Sequence, residues 1–431
     1  MNAFFLLDET GKAFAKKEKL LYFLLVALVV SFFLPDMPVI GNIVIGAILF
    51  HSFFYNSWTE KKQLLRQRKE ILLMLIFFLF NIVSAFISTN REEGMSMLVL
   101  RLPLLVFPLC IGLIYIRSAL KNRFLIAYCA LTTLMGLVCM IYSIYRYNWS
   151  GGDAAYLYDD SLSEAVRRQS IYIALTVNLA LFGYAYLLSK GKYVMKYAWL
   201  TYLSIAFLLV FHFMLASRIA IITLYSCMIV YAIFRMIRKK KMLEGASLII
   251  GLIIGAFILV HFFPKTLNRF KELQYPGYSY THHGIESHYN MKVTPEQWNG
   301  ANIRLAVWKC GWDLAGQHWL TGVPLGDKED KLVEVFKSHN FDFAASSRRN
   351  MHNNYLDILC NFGLIGFSVF LLGYLVFPLT GCYLTRDGLG LFIIIAFAAA
   401  YITENWFDSS FGCILPGFFL CFLAAYKTDN Q

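Results

Sequence analysis

The chain has 431 residues, of which 58% are hydrophobic, 17% aromatic and only 15% charged. That balance is too apolar for an ordinary soluble domain and fits a polytopic helical membrane protein. The formal net charge of +12 would suit a nucleic-acid partner, but the positive residues are spread over loops between apolar runs, which argues for a membrane and no nucleic acid.

Lipid offers backbone groups no partners, so every crossing must be helical, and each needs about 20 apolar residues. Apolar runs near 20–35, 39–56, 71–88, 98–116, 124–145, 170–189, 197–215, 218–237, 246–263, 354–380, 389–405 and 409–426 predict about 12 transmembrane helices. The expected fold is all-α and polytopic, a single transmembrane domain over 1–431. The first run follows Lys12, Lys16, Lys17 and Lys19, as a signal peptide would. It ends in Phe33-Leu34-Pro35-Asp36 with no small-residue cleavage pattern, so it is expected to be a retained helix.

Lys and Arg then cluster in alternate loops, at Lys61/Lys62/Arg66/Arg68/Lys69, Arg117/Lys121/Arg123, Lys190/Lys192/Lys196 and Arg235/Arg238/Lys239/Lys240/Lys241. The positive-inside rule makes those loops cytoplasmic. Both termini are then expected inside a bacterial inner membrane, and the long polar segment 264–353, between spans 9 and 10, faces the periplasm as a helical loop subdomain. A smaller outer loop runs from Arg146 to Gln169, with Gly151-Gly152 and Asp159-Asp160 as loop signals.

Within the long segment, Lys271 to Asn299 reads as irregular. Ile303, Val307, Cys310 and Leu314 then recur at helical spacing, which predicts an amphipathic helix over Asn302–Gly316 lying on the membrane or over the span bundle. Thr321 to Asp327 reads as a turn, Leu332 to His339 as a second short helix, and Ala344 to Asn350 as a polar lead into the tenth span. Of the nine cysteines only Cys310 lies in this segment, so no disulfide framework is expected.

Ionisable groups gather at the outward ends of the spans. Arg218 has almost no loop to hold it in water, so it either snorkels to the headgroups or is paired or faces a wet cavity. Arg101, Arg167 and Arg168 are ambiguous by position. Glu404 is either an interfacial residue or a partner for one of the arginines. His352, beside the potential N-caps Asn353 and Asn354, is either a capping residue or a general base kept neutral by Arg348 and Arg349 nearby. On the second reading the start of span 10 offers free backbone N–H groups to an anion. His282, His283 and His288 lack a carboxylate or cysteine at ligand spacing, and no metal is expected.

Three segments in this order resemble the O-antigen ligase and polymerase superfamily: the Ser217-Arg218 turn, Arg304-x-x-x-Trp308 followed by Gly322-x-Pro-x-Gly326, and His352-Asn-x-x-Leu356 running into Gly363-x-x-Gly366. Thr403-Glu404-Asn405 is similar to the family's C-terminal region, so the resemblance covers about 165–426. Val323-Pro324-Leu325 departs from the glycine-rich turn of many members, and no phosphate contact is assigned to that backbone. The resemblance implies a metal-independent, inverting glycosyltransferase without a cofactor, acting on an undecaprenyl-diphosphate-linked glycan as donor and lipid A-core or another glycan as acceptor, among membrane lipids. It implies that Arg218 and Arg304 hold the diphosphate and that His352 activates the acceptor hydroxyl, with Arg168, Arg348, Asn353 and Glu404 as further substrate-binding candidates. A polymerase and a protein O-glycosylating ligase share the donor chemistry. A flippase of the same size would instead place its charges near the bilayer midplane, with inverted repeats.

Overall fold

The computed structural model describes residues 14–190, 198–280, 286 and 297–426. The described residues are helical, apart from turns and one isolated bridge between Ile116 and Tyr426. Among the described residues, eight helices are long and apolar enough to cross a membrane: Pro38–Tyr55, Lys69–Ile87, Arg91–Cys110, Ser118–Trp149, Ser170–Lys190, Arg218–Arg238, Met242–Phe262 and Asn354–Leu384. Ala198–Met214, Gly388–Ala400 and Ser410–Ala425 are shorter apolar helices, and Lys16–Phe32 forms where the first run was expected. The chain is therefore an all-α, polytopic membrane protein, with eight helices of spanning length against about twelve expected runs.

One boundary moves. The fourth run was expected over 98–116, but its helix starts at Arg91, where the Asn90 side chain accepts from Glu93 N (3.2 Å) and Glu92 and Glu93 occupy the first turn. A cap and acidic residues at the positive end of the dipole suffice to start a helix ahead of its apolar stretch.

The chain forms two compact units. One comprises Met1–Tyr128, Ser279–Thr281 and Arg304–Gln431, and the other Cys129–Tyr278 and His282–Ile303. The segment 264–353 is shared between them, with Arg304 onward in the first.

In the first unit, aromatic rings form much of the core. Phe77 lies 5.4 to 6.0 Å from the rings of Phe362, Phe370, Tyr374 and Phe407, at separations where edge-to-face packing adds to area burial. The Asn354–Phe370 helix runs through this core but is broken at Gly363 (φ 57°, ψ −165°). In an unbroken helix the Leu364 N–H would bond the Cys360 carbonyl. Here Leu364 N donates to Trp319 O (2.8 Å), and Cys360 O accepts from Val323 N (2.7 Å). The turn after the Asn302–Gln317 helix thus takes up both groups released by the break, as an apolar setting demands.

Such close docking needs bare backbone. A Cβ on Gly363 would lie 2.2 Å from the Leu320 carbonyl, and one on Gly322 (φ +74°) 2.4 Å from Asn361 C. Further along, Leu325 N and Gly326 N donate to Ser84 Oγ and Ser88 Oγ (2.8 and 2.9 Å), and the Asp327 carboxylate accepts from Thr89 N and Asn90 N (2.9 and 2.8 Å). The turn is therefore pinned at both ends, and its amides are occupied.

In the second unit the Ser170–Lys190 helix is buried along most of its length, and Asn178 Nδ2 donates to Ala220 O at 3.0 Å. Met242–Phe262 keeps Leu243, Ile253, Phe257 and Phe262 exposed, as a lipid-facing helix should.

Gly363→Ala should destabilise the first unit by more than the about 1–3 kcal/mol of backbone strain alone, since the added methyl also collides with Leu320. The thermal unfolding midpoint in detergent should fall. Gly381→Ala, where a Cβ meets nothing within 4 Å, should leave it unchanged.

Candidate functional site

His352 precedes the Asn354–Phe370 helix with a left-handed backbone (φ 44°), and its Nδ1 lies 3.0 Å from Glu404 Oε2. Glu404 is 8% exposed, and its Oε1 accepts from Asn405 N at 3.3 Å. With a carboxylate as partner, a neutral ring carries its proton on Nδ1, which leaves Nε2 as an acceptor. Part of the imidazole is open to solvent, with 30% of the side chain exposed.

This geometry corrects three expectations. The group facing the ring is the Glu404 carboxylate, and Arg348 is elsewhere: its guanidinium donates to Asp330 (2.6 Å) and Glu329 (3.3 Å), and hydrogen bonds to these carboxylates raise its pKa. The amides at the helix start are also taken. Asn353 N donates to Asn405 Oδ1 (2.8 Å), Asn354 N to Tyr401 O (2.8 Å) and Leu356 N to the Asn353 side chain (3.1 Å). Glu404, finally, pairs with a histidine and not with an arginine.

Beneath the pair lies a buried charge cluster that the sequence did not announce. Arg101, fully buried, donates from Nη2 to Asp408 Oδ1 (2.9 Å), from Nη1 to Asn81 Oδ1 (2.9 Å) and from Nε to Phe407 O (2.9 Å). Asp357 Oδ2 stands 3.7 Å from the same guanidinium. Lys328 Nζ bridges Asp357 Oδ1 (2.6 Å) and Asp408 Oδ2 (3.0 Å). Asn405 Nδ2 reaches both carboxylates, at 3.1 and 3.0 Å. The signal for this cluster was Arg101 itself: a cation in an apolar run needs an anion, and Asp357 is the acidic residue of the Asn354–Leu384 run. A cavity of about 260 Å³, lined in part by Lys328, Asp357, Asn405, Asp408, Arg349 and Met351, opens beside it.

Arg304 lies half-buried in the first turn of the Asn302–Gln317 helix, whose Ala306, Val307, Cys310 and Leu314 are buried as the apolar spacing predicted. One turn on, Trp308 Nε1 donates to Met351 O at 2.8 Å. Residues four apart share a helix face, so Arg304 stands on the face tied to the residue before His352. Further along, Cys360 Sγ donates to Gly311 O (3.2 Å), and Leu356 fills the space a Cβ on Gly311 would need.

In the second unit, Arg218 follows Ala216, itself left-handed (φ 52°), and begins the Arg218–Arg238 helix. Its Nη1 donates to Glu272 Oε2 at 3.1 Å, with Glu272 1% exposed. Of the alternatives for this arginine, the structure shows the paired one. Arg168 is half-buried, its carbonyl accepts from Ser163 Oγ (2.7 Å), and burial lowers its guanidinium pKa. His282, His283 and His288 lie outside the described residues. Among the described residues no three His, Cys, Asp or Glu side chains group as metal ligands would.

Residues 203–371 match the family model described as O-Antigen ligase. The matched region contains Arg218, Arg304, Lys328, Arg348, His352, Asn353, Asp357 and Gly363, whereas Arg101, Arg168, Glu404, Asn405 and Asp408 lie outside it. No curated protein matches the sequence.

Burial pushes the Asp408 carboxyl up, but Lys328 and Arg101 outweigh it and hold it down, to about 2. Its contribution to stability is therefore fully present above its ordinary value of 3.8 and is lost as pH falls towards 2. Burial pulls the Lys328 ammonium down, and Asp357 and Asp408 more than reverse this, so its contribution is present below its ordinary 10.5 and fades only at still higher pH. As far as Asp408 and Lys328 are concerned, thermal stability should thus be level from about pH 5 to about pH 9. Lys328→Ala, which strands two carboxylates, should cost about 3–5 kcal/mol, read as a lowered unfolding midpoint in detergent.

Proposed function

We propose that this chain, whose residues 203–371 match the O-antigen ligase family model, transfers a glycan from undecaprenyl diphosphate to a sugar hydroxyl at the periplasmic face of a bacterial inner membrane. The observation that carries the reading is the His352–Glu404 pair: a part-exposed imidazole with Nδ1 tied to a nearly buried carboxylate.

A sugar hydroxyl is a poor nucleophile at neutral pH, and a positioned imidazole makes it a better one. In the proposed step, the hydroxyl gives its proton to His352 Nε2 as its oxygen bonds to the anomeric carbon. The bond from that carbon to the diphosphate oxygen breaks, the diphosphate keeps the electron pair, and the configuration inverts. Glu404 steadies the imidazolium that forms, the role a carboxylate plays behind a catalytic histidine. The diphosphate is already a competent leaving group, so the remaining need is charge stabilisation, which guanidinium groups supply in bidentate fashion. Arg304, in the same unit as His352, is assigned that task; Arg218 and Arg168 are candidates for it on the resemblance alone. The step uses no metal.

The reading favours a ligase, with lipid A-core as acceptor, because the 264–353 segment lies late in the chain and runs directly into the His352 element. In a polymerase the acceptor would be another lipid-linked chain, with the same residues in the same roles. Orientation follows the charge distribution, with both termini cytoplasmic and segment 264–353 periplasmic.

His352→Ala and Glu404→Gln should lower the rate of glycan transfer by about 10²–10⁴-fold and by a smaller factor, respectively, at unchanged protein abundance. Arg304→Ala and Arg218→Ala should each abolish detectable transfer in cells, and EDTA should leave turnover of the purified protein unaltered. A deletion strain should accumulate long glycans on undecaprenyl diphosphate; single repeat units capped onto lipid would indicate a polymerase. Transfer that persists in His352→Ala would remove the general base from the mechanism.

A further inference from the structure

We propose that Asn405, held in place by the Asp357–Lys328–Asp408–Arg101 cluster, is the positioning residue that sets the geometry of the His352–Glu404 pair. The inference rests on the role assigned to that pair above.

Asn405 is 2% exposed, and its polar groups divide into two sets. Towards the pair, its backbone N–H donates to Glu404 Oε1 (3.3 Å), and its Oδ1 accepts from Asn353 N (2.8 Å), the amide next to His352. Towards the cluster, both hydrogens of its Nδ2 are spent, one on Asp357 Oδ1 (3.1 Å) and one on Asp408 Oδ2 (3.0 Å). One amide side chain therefore joins the backbone beside the histidine to two buried carboxylates. Those carboxylates are themselves fixed: Asp357 by Lys328, Asn361 and Arg101, and Asp408 by Lys328 and Arg101.

The cluster is a costly way to hold helices together. Two cations and two anions taken out of water recover little of their hydration from one another, and apolar side chains of similar volume commonly stabilise as well or better. What the cluster supplies is direction. With Asp357 and Asp408 both accepting, Asn405 has one orientation in which Nδ2 faces the charges and Oδ1 faces Asn353, since the flipped amide would set its oxygen against two carboxylates. The Asn353 amide is thereby drawn to a fixed point, and the left-handed backbone of His352 delivers the imidazole to Glu404. Histidine and glutamate come from turns 52 residues apart in sequence; Asn354 also links those turns, through Phe407 N (3.1 Å), and Asn405 is the side chain that joins the amide beside His352 to the charge cluster.

Asn405→Ala in the purified full-length protein should lower kcat for glycan transfer at least about tenfold, with KM for the lipid-linked donor changed less than about twofold. In the Glu404→Gln background the same substitution should add less than about a twofold further loss, whereas with Arg304→Lys, which keeps the positive charge, the two losses should multiply. A readout free of activity is the rate at which diethylpyrocarbonate modifies His352, followed by peptide mass spectrometry. It should rise in Asn405→Ala and in Glu404→Gln alike, while modification of His339, which pairs with Asp313 at 2.9 Å, should not change. Asn405→Ser, which retains a short polar group, takes the same measurements if Asn405→Ala does not accumulate. An unaltered modification rate at His352, or losses that multiply in the Glu404→Gln background, would overturn the proposal. Altered modification together with persistent transfer in His352→Ala would instead leave the positioning intact and defeat the general-base reading.

Discussion

An apolar surrounding tolerates no unpaired backbone group, and the first unit is organised around one place where the helix ladder cannot satisfy its own. At Gly363 the bond between Leu364 N–H and the Cys360 carbonyl is absent, and both ends are bonded by the 319–323 turn. That exchange locks a loop from the polar segment against the core helix by backbone alone, independent of side-chain identity apart from the glycines that permit approach. Because the turn follows the helix bearing Arg304, and the helix start beyond the break bears His352, the one contact fixes two candidate groups within the same unit. Trp308 on Met351 closes the arrangement from the other side.

Above the break, the chain uses polar rather than apolar complementarity. Between Asn353 and Asp408 the bonds run through asparagines: Asn353 caps its own helix, Asn354 accepts from Phe407 N, and Asn405 spans to the carboxylates. Amide side chains donate and accept at once, so they connect a carboxylate to a backbone amide without adding charge. Arg101 and Lys328 then neutralise Asp357 and Asp408. A buried polar network of this kind favours one arrangement, since a shift would separate its carboxylates from the groups that donate to them.

The helical framework was legible because apolar runs in lipid have a single backbone solution, and the inner face of Asn302–Gln317 was legible from the spacing of Val307, Cys310 and Leu314. His352 and Arg218 are visible as titratable or charged groups at the ends of apolar runs, and Arg304 through the Arg304-x-x-x-Trp308 element of the polar segment. The partners are not. For Glu404 the sequence leaves an interfacial residue and an arginine partner open, because its neighbour His352 depends on how two turns meet, and no local pattern encodes that. Nothing local sets Lys328 apart from the other charged residues of the polar segment, and Asp357 stands alone among apolar residues. Gly363 is visible as part of the Gly363-x-x-Gly366 element, but only the positions of Trp319 and Val323 reveal a break there. The fourth helix began early because capping at Asn90 outweighed the polarity of its first turn.

The break also bears on how this protein meets membranes of different thickness. Asn354–Leu384 is 31 residues long, more than a bilayer requires, while the stretch after Gly363 alone is close to the about 20 residues of one crossing. Helices adjust to thicker or thinner hydrocarbon by tilting, and a rigid rod would carry its outer end through an arc as it did so. The rod is interrupted at Gly363, and the 319–323 turn holds both sides of the interruption, Cys360 above it and Leu364 below it. A tilt of the crossing would therefore load the turn as well as the helix, and through it the polar segment that ends at His352.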